Sequence, residues 1–274
     1  MSRELPVSSR QASTTPVYSY WVQRLGLAVQ HDKLSWGLIG LWALGMMSLP
    51  IILWTVGDDL LPKAVTITTG LQALAVGVGL GKAWGWRRLV ITLVSVAVLG
   101  WLVEYIGSTS DVPFGAYDYS LRLQPQVVGV PLLIPIAWFM LLPCAWTVAG
   151  YLAGGRRWLF VVLSVLAFVA WDLFLDPQMV TWDFWHWSQP SGYFGIPWSN
   201  YAGWALAVLM MTLVVRPSDI PLTPLLAIYG LTWFFEVFGL LFFWGLVGPA
   251  LVGGVVMGAF LLAAIYNHIR STQP

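Results

Sequence analysis

Charge is what this chain has least of. Only 9% of its 274 residues are Asp, Glu, Lys or Arg and 58% are hydrophobic, against about 25% charged in soluble globular domains. That excludes a soluble globule and leaves an integral membrane protein. A formal net charge of +1, with no cluster of Lys and Arg, excludes nucleic acid as a partner, because phosphate neutralisation needs basic side chains gathered on one face. The single cysteine, Cys144, excludes a disulfide framework and any thiolate-ligated metal or iron–sulfur centre; lying in an apolar run, it reads as a small core residue. The three histidines, His31, His186 and His268, are too few and too far apart for a membrane di-iron site. Oxygen-dependent hydroxylation at an iron centre is therefore not expected. Gly77, Gly79 and Gly81 lie inside an apolar stretch rather than after a strand, so they form no dinucleotide loop and instead predict close helix packing.

What the chain has is apolar length. Stretches long enough to cross a bilayer fall at 35–56, 64–81, 88–108, 127–151, 158–176, 199–215, 221–246 and 248–267. The expected fold is all-α, a polytopic membrane helix bundle of about eight transmembrane helices. Residues 1–34 read as a polar N-terminal tail without a secretory signal pattern, residues 35–267 as the helical domain and 268–274 as a C-terminal tail. With eight spans, Arg3, Arg10, Arg24, Lys33, Lys82, Arg87, Arg88, Arg156, Arg157, Arg216 and Arg270 all fall on one side, leaving only Lys63 and Arg122 for the other. Cytoplasmic loops are enriched in Lys and Arg, so both termini are expected in the cytoplasm of a multi-pass cell-membrane protein. The same count places two long loops, 109–126 and 177–198, on the outer face. Their Gly, Pro and aromatic content predicts that they fold back onto the bundle as a lid, since irregular backbone at membrane depth must be buried or line a cavity.

Three acids, Glu104, Asp172 and Glu236, stand inside the apolar spans. A carboxylate at mid-helix costs about 2.5–3.5 kcal/mol to insert, so such residues face a protein interior and mark a functional site. Residues three, four or seven apart share a helix face, which groups Trp101, Glu104 and Tyr105 on the third span, Asp172 and Asp176 on the fifth, and Tyr229, Trp233 and Glu236 on the seventh; Trp171 adjoins Asp172 in sequence. At 1.5 Å per residue, Asp172 is expected about 7 Å below a helix end near Pro177 and Glu236 about 15 Å below the outer turn. These residues predict a chamber in the outer half of the bilayer, walled by aromatic rings. A carboxyl group buried there favours its neutral form and serves as a proton donor, while ring faces stabilise a carbocation. Acid-catalysed chemistry on an alkene fits those parts. His186, between Trp185 and Trp187, is a secondary candidate for orienting a carboxylate. Met46, Met47, Met210 and Met211 are candidates to line a slot for a long apolar substrate, and Pro131, Pro135 and Pro143 are expected to kink the fourth span.

The two outer segments resemble the membrane carotenoid hydratases that add water to the acyclic end of γ-carotene, lycopene or bisanhydrobacterioruberin. The resemblance is carried by Glu104-Tyr105-Ile106-Gly107, Pro113-Phe114-Gly115 with Tyr117 and Tyr119, Asp176-Pro177, Trp185 and Trp187, Tyr193-Phe194-Gly195-Ile196-Pro197, and Asn200 with Gly203-Trp204. It spans roughly residues 100–240. It implies a cofactor-free hydro-lyase of carotenoid biosynthesis that hydrates a terminal C1',2' double bond to a tertiary 1'-hydroxyl, with a polyene carotenoid, water and the lipid bilayer as partners; association with other carotenoid enzymes stays open. On the physical reading, Asp172 or Glu236 is the acid, Glu104 and Asp176 position water, and Trp101, Tyr105, Trp171, Trp185, His186, Tyr193, Asn200, Trp204, Tyr229 and Trp233 form the substrate-binding set. Two rivals remain at this stage. One is a magnesium-dependent membrane prenyltransferase acting on carotenoids through Asp172 and Asp176. The other is a non-catalytic pigment-binding bundle.

Overall fold

A computed structural model describes residues 32–220 and 222–272. The N-terminal tail lies almost wholly outside the described residues. Among the described residues there are eight helices long and apolar enough to cross a membrane: α1 (Lys33–Thr55), α2 (Leu61–Trp84), α3 (Trp86–Ser110), α4 (Leu133–Leu152), α5 (Arg157–Thr181), α6 (Trp198–Val215), α7 (Thr223–Phe242) and α8 (Val247–Thr272). The chain is a polytopic bundle of membrane helices. Helix ends fall where the chain supplies a reason. Asp32 caps α1 through Ser35 N–H at 3.1 Å, which satisfies a donor the first turn leaves free. Gly85, at φ +78°, ends α2 and starts α3, a backbone state glycine adopts without a Cβ clash.

The core is built around α4. Its most apolar window is 83% buried, against 22% for those of α1 and α3, and it packs on α2, α3, α5, α7 and α8. With no water at this depth, buried donors must find acceptors inside the protein, and several aromatic side chains meet that need between helices. Trp146 Nε1 donates to Thr212 Oγ1 at 2.9 Å, Tyr229 Oη to the Ala167 carbonyl at 2.8 Å, and Trp233 Nε1 to the Gly254 carbonyl at 2.8 Å. The glycines of α2 lie against other helices: an added Cβ would stand 3.9 Å from Phe139 of α4 at Gly77, 3.6 Å from Leu225 of α7 at Gly79 and 3.2 Å from Leu89 of α3 at Gly81.

The long loops form one layer across the end of the bundle where α3 and α5 finish. Strand β1 (Tyr117–Tyr119) of the first loop pairs antiparallel with β4 (Trp185–Trp187) of the second, and a small hairpin, β2 (Gln126–Val127) with β3 (Val130–Pro131), completes the first loop. Arg122 knits the layer together. Its guanidinium donates to the Trp182 carbonyl at 2.6 Å and pairs with Asp58 at 2.7 Å, the latter in the single 3-10 turn Asp58–Leu60 that precedes α2.

Several boundaries differ from those expected, each for a physical reason. The apolar stretch from 127 is not helix; it is the β2–β3 hairpin, so Pro131 lies in a strand, Pro135 in the first turn of α4, and only Pro143 inside the helix. Helix α5 passes through Pro177 to Thr181. Proline removes the donor that would bond the carbonyl four residues back, and Tyr193 Oη supplies it, donating to the Leu173 carbonyl at 3.2 Å. Helix α7 ends at Phe242 rather than 246, and α8 continues to Thr272 through the expected C-terminal tail. The two outer loops accordingly run over 111–132 and 182–197.

Candidate active site

Helix ends set the depth of each acid. Asp172 lies nine residues, about 14 Å, below the end of α5 and Glu236 six residues, about 9 Å, below the end of α7, the reverse of the expected order. Beneath the loop layer a cavity of about 670 Å³ opens between the helices. Glu104, Asp176 and Glu236 all line it.

Glu104, on α3, is 3% exposed. Its Oε2 accepts from Tyr117 Oη and Tyr119 Oη, each at 2.7 Å, and its Oε1 from Trp138 Nε1 at 3.1 Å. Three donors of this kind suit an ionised carboxylate. Burial, and then the neighbouring Glu104 charge, push both phenols well above the ordinary tyrosine value, so they remain donors. Alternation along β1 brings Tyr117 and Tyr119 to the same face of the strand, and the β1–β4 pairing sets Trp187 and Trp185 opposite them.

A second centre joins α5 and α6. Asn200 Nδ2 bridges the two aspartates, donating to Asp172 Oδ2 at 3.2 Å and in a short contact to Asp176 Oδ2. Trp185 Nε1 donates to Asp176 Oδ1 at 3.0 Å. Asn200 thus holds the two carboxyls side by side. Asp172 is fully buried and does not line the cavity; its Oδ1 has no donor. It stands behind Asp176.

The third centre is Glu236 on α7. Its Oε1 accepts from Trp171 Nε1 at 3.3 Å, whereas Oε2 is buried without a hydrogen-bond partner. Around these acids the cavity wall is aromatic: Trp138 stacks on Trp204 with centroids 4.5 Å apart, and Trp171 meets Trp204 edge-on at 6.1 Å.

Of the expected binding set, the cavity gathers Trp171, Trp185, Asn200 and Trp204, together with Met46 and Met47. The others go elsewhere. Trp101 and Tyr105 stack on each other at 5.3 Å outside the cavity, and Trp101 Nε1 reaches the Val127 carbonyl of the hairpin; they share a helix with Glu104 but not its inward face. His186 is exposed on β4 because its neighbours Trp185 and Trp187 take the buried face. Tyr193, Tyr229 and Trp233 spend their polar atoms on the backbone carbonyls of Leu173, Ala167 and Gly254. Met210 and Met211 do not line the cavity either; Met140 and Met179 do. Sequence reasoning missed Trp138, Trp42 and Gln72, which line the cavity from helices whose acid-free sequences give no signal, and Thr232, which lines it one turn before Glu236 on α7.

A family model described as "Carotenoid biosynthesis protein" matches residues 63–260, which include all four carboxylic acids of the site and both outer loops. The chain belongs to this carotenoid biosynthesis family. It is also 36% identical over 125 residues to a bisanhydrobacterioruberin hydratase of Haloarcula japonica. That similarity covers 44% of this chain and 42% of the relative's length, so the chain matches less than half of that protein. No solved structure matches this family member.

Proposed function

We propose that the protein hydrates an acyclic carotenoid end, adding water across the terminal C1',2' double bond to give a tertiary 1'-hydroxyl. Family membership and the similarity to a hydratase support the substrate class. The observation that carries the chemistry is Glu236, whose Oε2 is buried, unpartnered and on the wall of a cavity it shares with two other carboxyls. A neutral carboxyl with a free O–H pointed at an alkene is a proton donor in waiting.

In this reading Glu236 delivers its proton to the less substituted alkene carbon, leaving a tertiary cation. The faces of Trp138, Trp171 and Trp204 stabilise that charge, and the Glu104 carboxylate, fixed by Tyr117, Tyr119 and Trp138, supplies a preorganised negative counter-charge. Water attacks the cation, and its surplus proton passes to Asp176, backed by Asp172 and Asn200. Return of that proton to Glu236 through water restores the resting state. The division of labour follows the rule that neighbouring acids in different environments take different roles. A prenyltransferase reading fits less well, because both oxygens of Asp176 already accept from Asn200 and Trp185, donors that compete with a magnesium ion for the same lone pairs.

The test is isotopic. Membranes supplied with an acyclic carotenoid in oxygen-18 water are expected to give labelled alcohol with or without air. Label arriving from molecular oxygen instead overturns hydration, and bound but unaltered carotenoid indicates a pigment-binding bundle.

A further inference from the structure

The cavity has one wall unlike the rest. Toward the loop layer it is closed by Trp182, Phe184, Trp185 and Trp187, all buried. Along the seam between α1 and α7, however, its lining residues are at the same time on the outer surface of the bundle: Met47 is 57% exposed, Ile51 55%, Phe234 47% and Phe238 41%. A side chain that both lines a cavity and faces lipid marks a place where the two are continuous. Aromatic edge contacts bracket this seam, Trp42 with Phe235 at 5.9 Å toward the inner end and Trp54 with Phe243 at 5.2 Å toward the loop layer. From residue 42 to residue 54, α1 advances about 18 Å. Between the brackets stands Pro50, inside α1, which leaves the Met46 carbonyl without its helical donor and favours a bend there. Among the described residues no side-chain hydrogen bond joins α1 to α7 across the seam, whereas Gln72 Nε2 of α2 donates to Thr232 Oγ1 of α7 at 3.3 Å behind it.

We propose that this window is the entry and tail-binding site for a linear isoprenoid hydrocarbon, which passes its reacting end sideways from the bilayer to the acids while the rest of the polyene lies between α1 and α7 or projects into lipid. The inference rests on the hydration reading and adds the route and the posture of the substrate. An apolar rod dissolved in the bilayer has no reason to cross the loop layer, and the window is lined by Met, Ile and Phe, which match it chemically. Flexible Met46 and Met47 suit a slot that must admit methyl-branched chain. One end of the substrate reacts at a time, because the chain occupies the only seam through which this cavity's lining residues also face lipid, among the described residues. Helix α1, one jamb of the window, lies outside the region matched by the family model, which begins at residue 63.

Two measurements separate this inference from the hydration reading. An acyclic carotenoid analogue carrying a diazirine at mid-chain is photolysed with the full-length protein in membranes, and adducts are mapped by mass spectrometry. Adducts at Met47, Ile51, Phe234 or Phe238 are expected, and adducts confined to α3 or α8 overturn the window whether or not product forms. In parallel, Met47→Trp and Ile51→Trp are expected to lower kcat/KM about tenfold, mainly through KM, while Val255→Trp on the lipid face of α8, where Val255 is 73% exposed, stays near wild type. Wild-type rates in both window variants sink the entry route while leaving hydration intact. An unvaried protein that makes no alcohol, yet is labelled at the window, removes hydration and keeps the binding site.

Discussion

Glu236 and Glu104 differ in how many donors hold them, and that difference predicts separate phenotypes. Glu236 has one partner, Trp171, and one free oxygen. Replacing it with Gln keeps the shape and removes the transferable proton, so turnover should fall about 10²–10⁴-fold, the usual contribution of a general acid, with membrane insertion unchanged. Measured product per inserted protein decides this, and full activity moves the acid to Asp176 or its partner Asp172. Glu104 is held by Tyr117, Tyr119 and Trp138. Tyr117→Phe and Tyr119→Phe each delete one of those donors and should reduce kcat while leaving KM near its starting value, because a counter-charge matters most in the transition state. Since burial and the Glu104 charge raise both phenols, neither tyrosine ionises at its ordinary value near 10. The rate profile should therefore show no alkaline fall traceable to them, and a fall near that value abolished by either Phe variant would contradict the geometry.

At the level of elements, one ring docks the first loop. Phe114 lies between α3 and α6, so close that a Cβ on Gly107 would come within 2.4 Å of it and one on Gly203 within 2.6 Å. Gly203→Ala should thus push the first loop off the bundle and destabilise the protein by about 1–3 kcal/mol, the cost of overpacking a filled site; thermal unfolding in detergent with a ring-specific probe would detect it. Tyr193→Phe tests a different joint. It leaves the Leu173 carbonyl, already deprived of a partner by Pro177, without a donor, which costs about 1–3 kcal/mol and should loosen the second loop without touching the cavity. These same joints explain what could be read from the residues alone. Eight apolar lengths and inward acids are signals of composition and period, and they predicted the bundle and the helices that carry the acids. The passage of α5 through Pro177 was not legible, because the donor that permits it comes from a residue sixteen positions later. Nor was the inward turn of Trp138, since an apolar span that is buried all round has no face to read. Among the described residues eight tryptophans are buried, so a belt at the membrane surface accounts for only part of their number.

For the molecule as a whole, the two ends of the bundle differ in charge. At the end away from the loop layer, Lys82 pairs with Asp32, Arg88 pairs with Asp219 at 3.2 Å and lies over the Trp84 ring, and Arg157 donates to the Pro217 carbonyl at 3.3 Å. With Arg87, Arg156, Arg216 and Arg270 these place most of the described cations on one face, whereas the loop face carries Lys63 and Arg122, the second of them neutralised by Asp58. Positive loops stay in the cytoplasm during insertion, so the prediction is that both termini are cytoplasmic and the acid-lined cavity sits in the outer half of the bilayer. Reporters that are active on only one side of the membrane, fused after residue 272 and inserted near 154 and near 189, should agree at the first two sites and disagree at the third. If the loop near 189 reports cytoplasm, the cavity instead faces the inner leaflet. The window between α1 and α7 would then draw its hydrocarbon from that side.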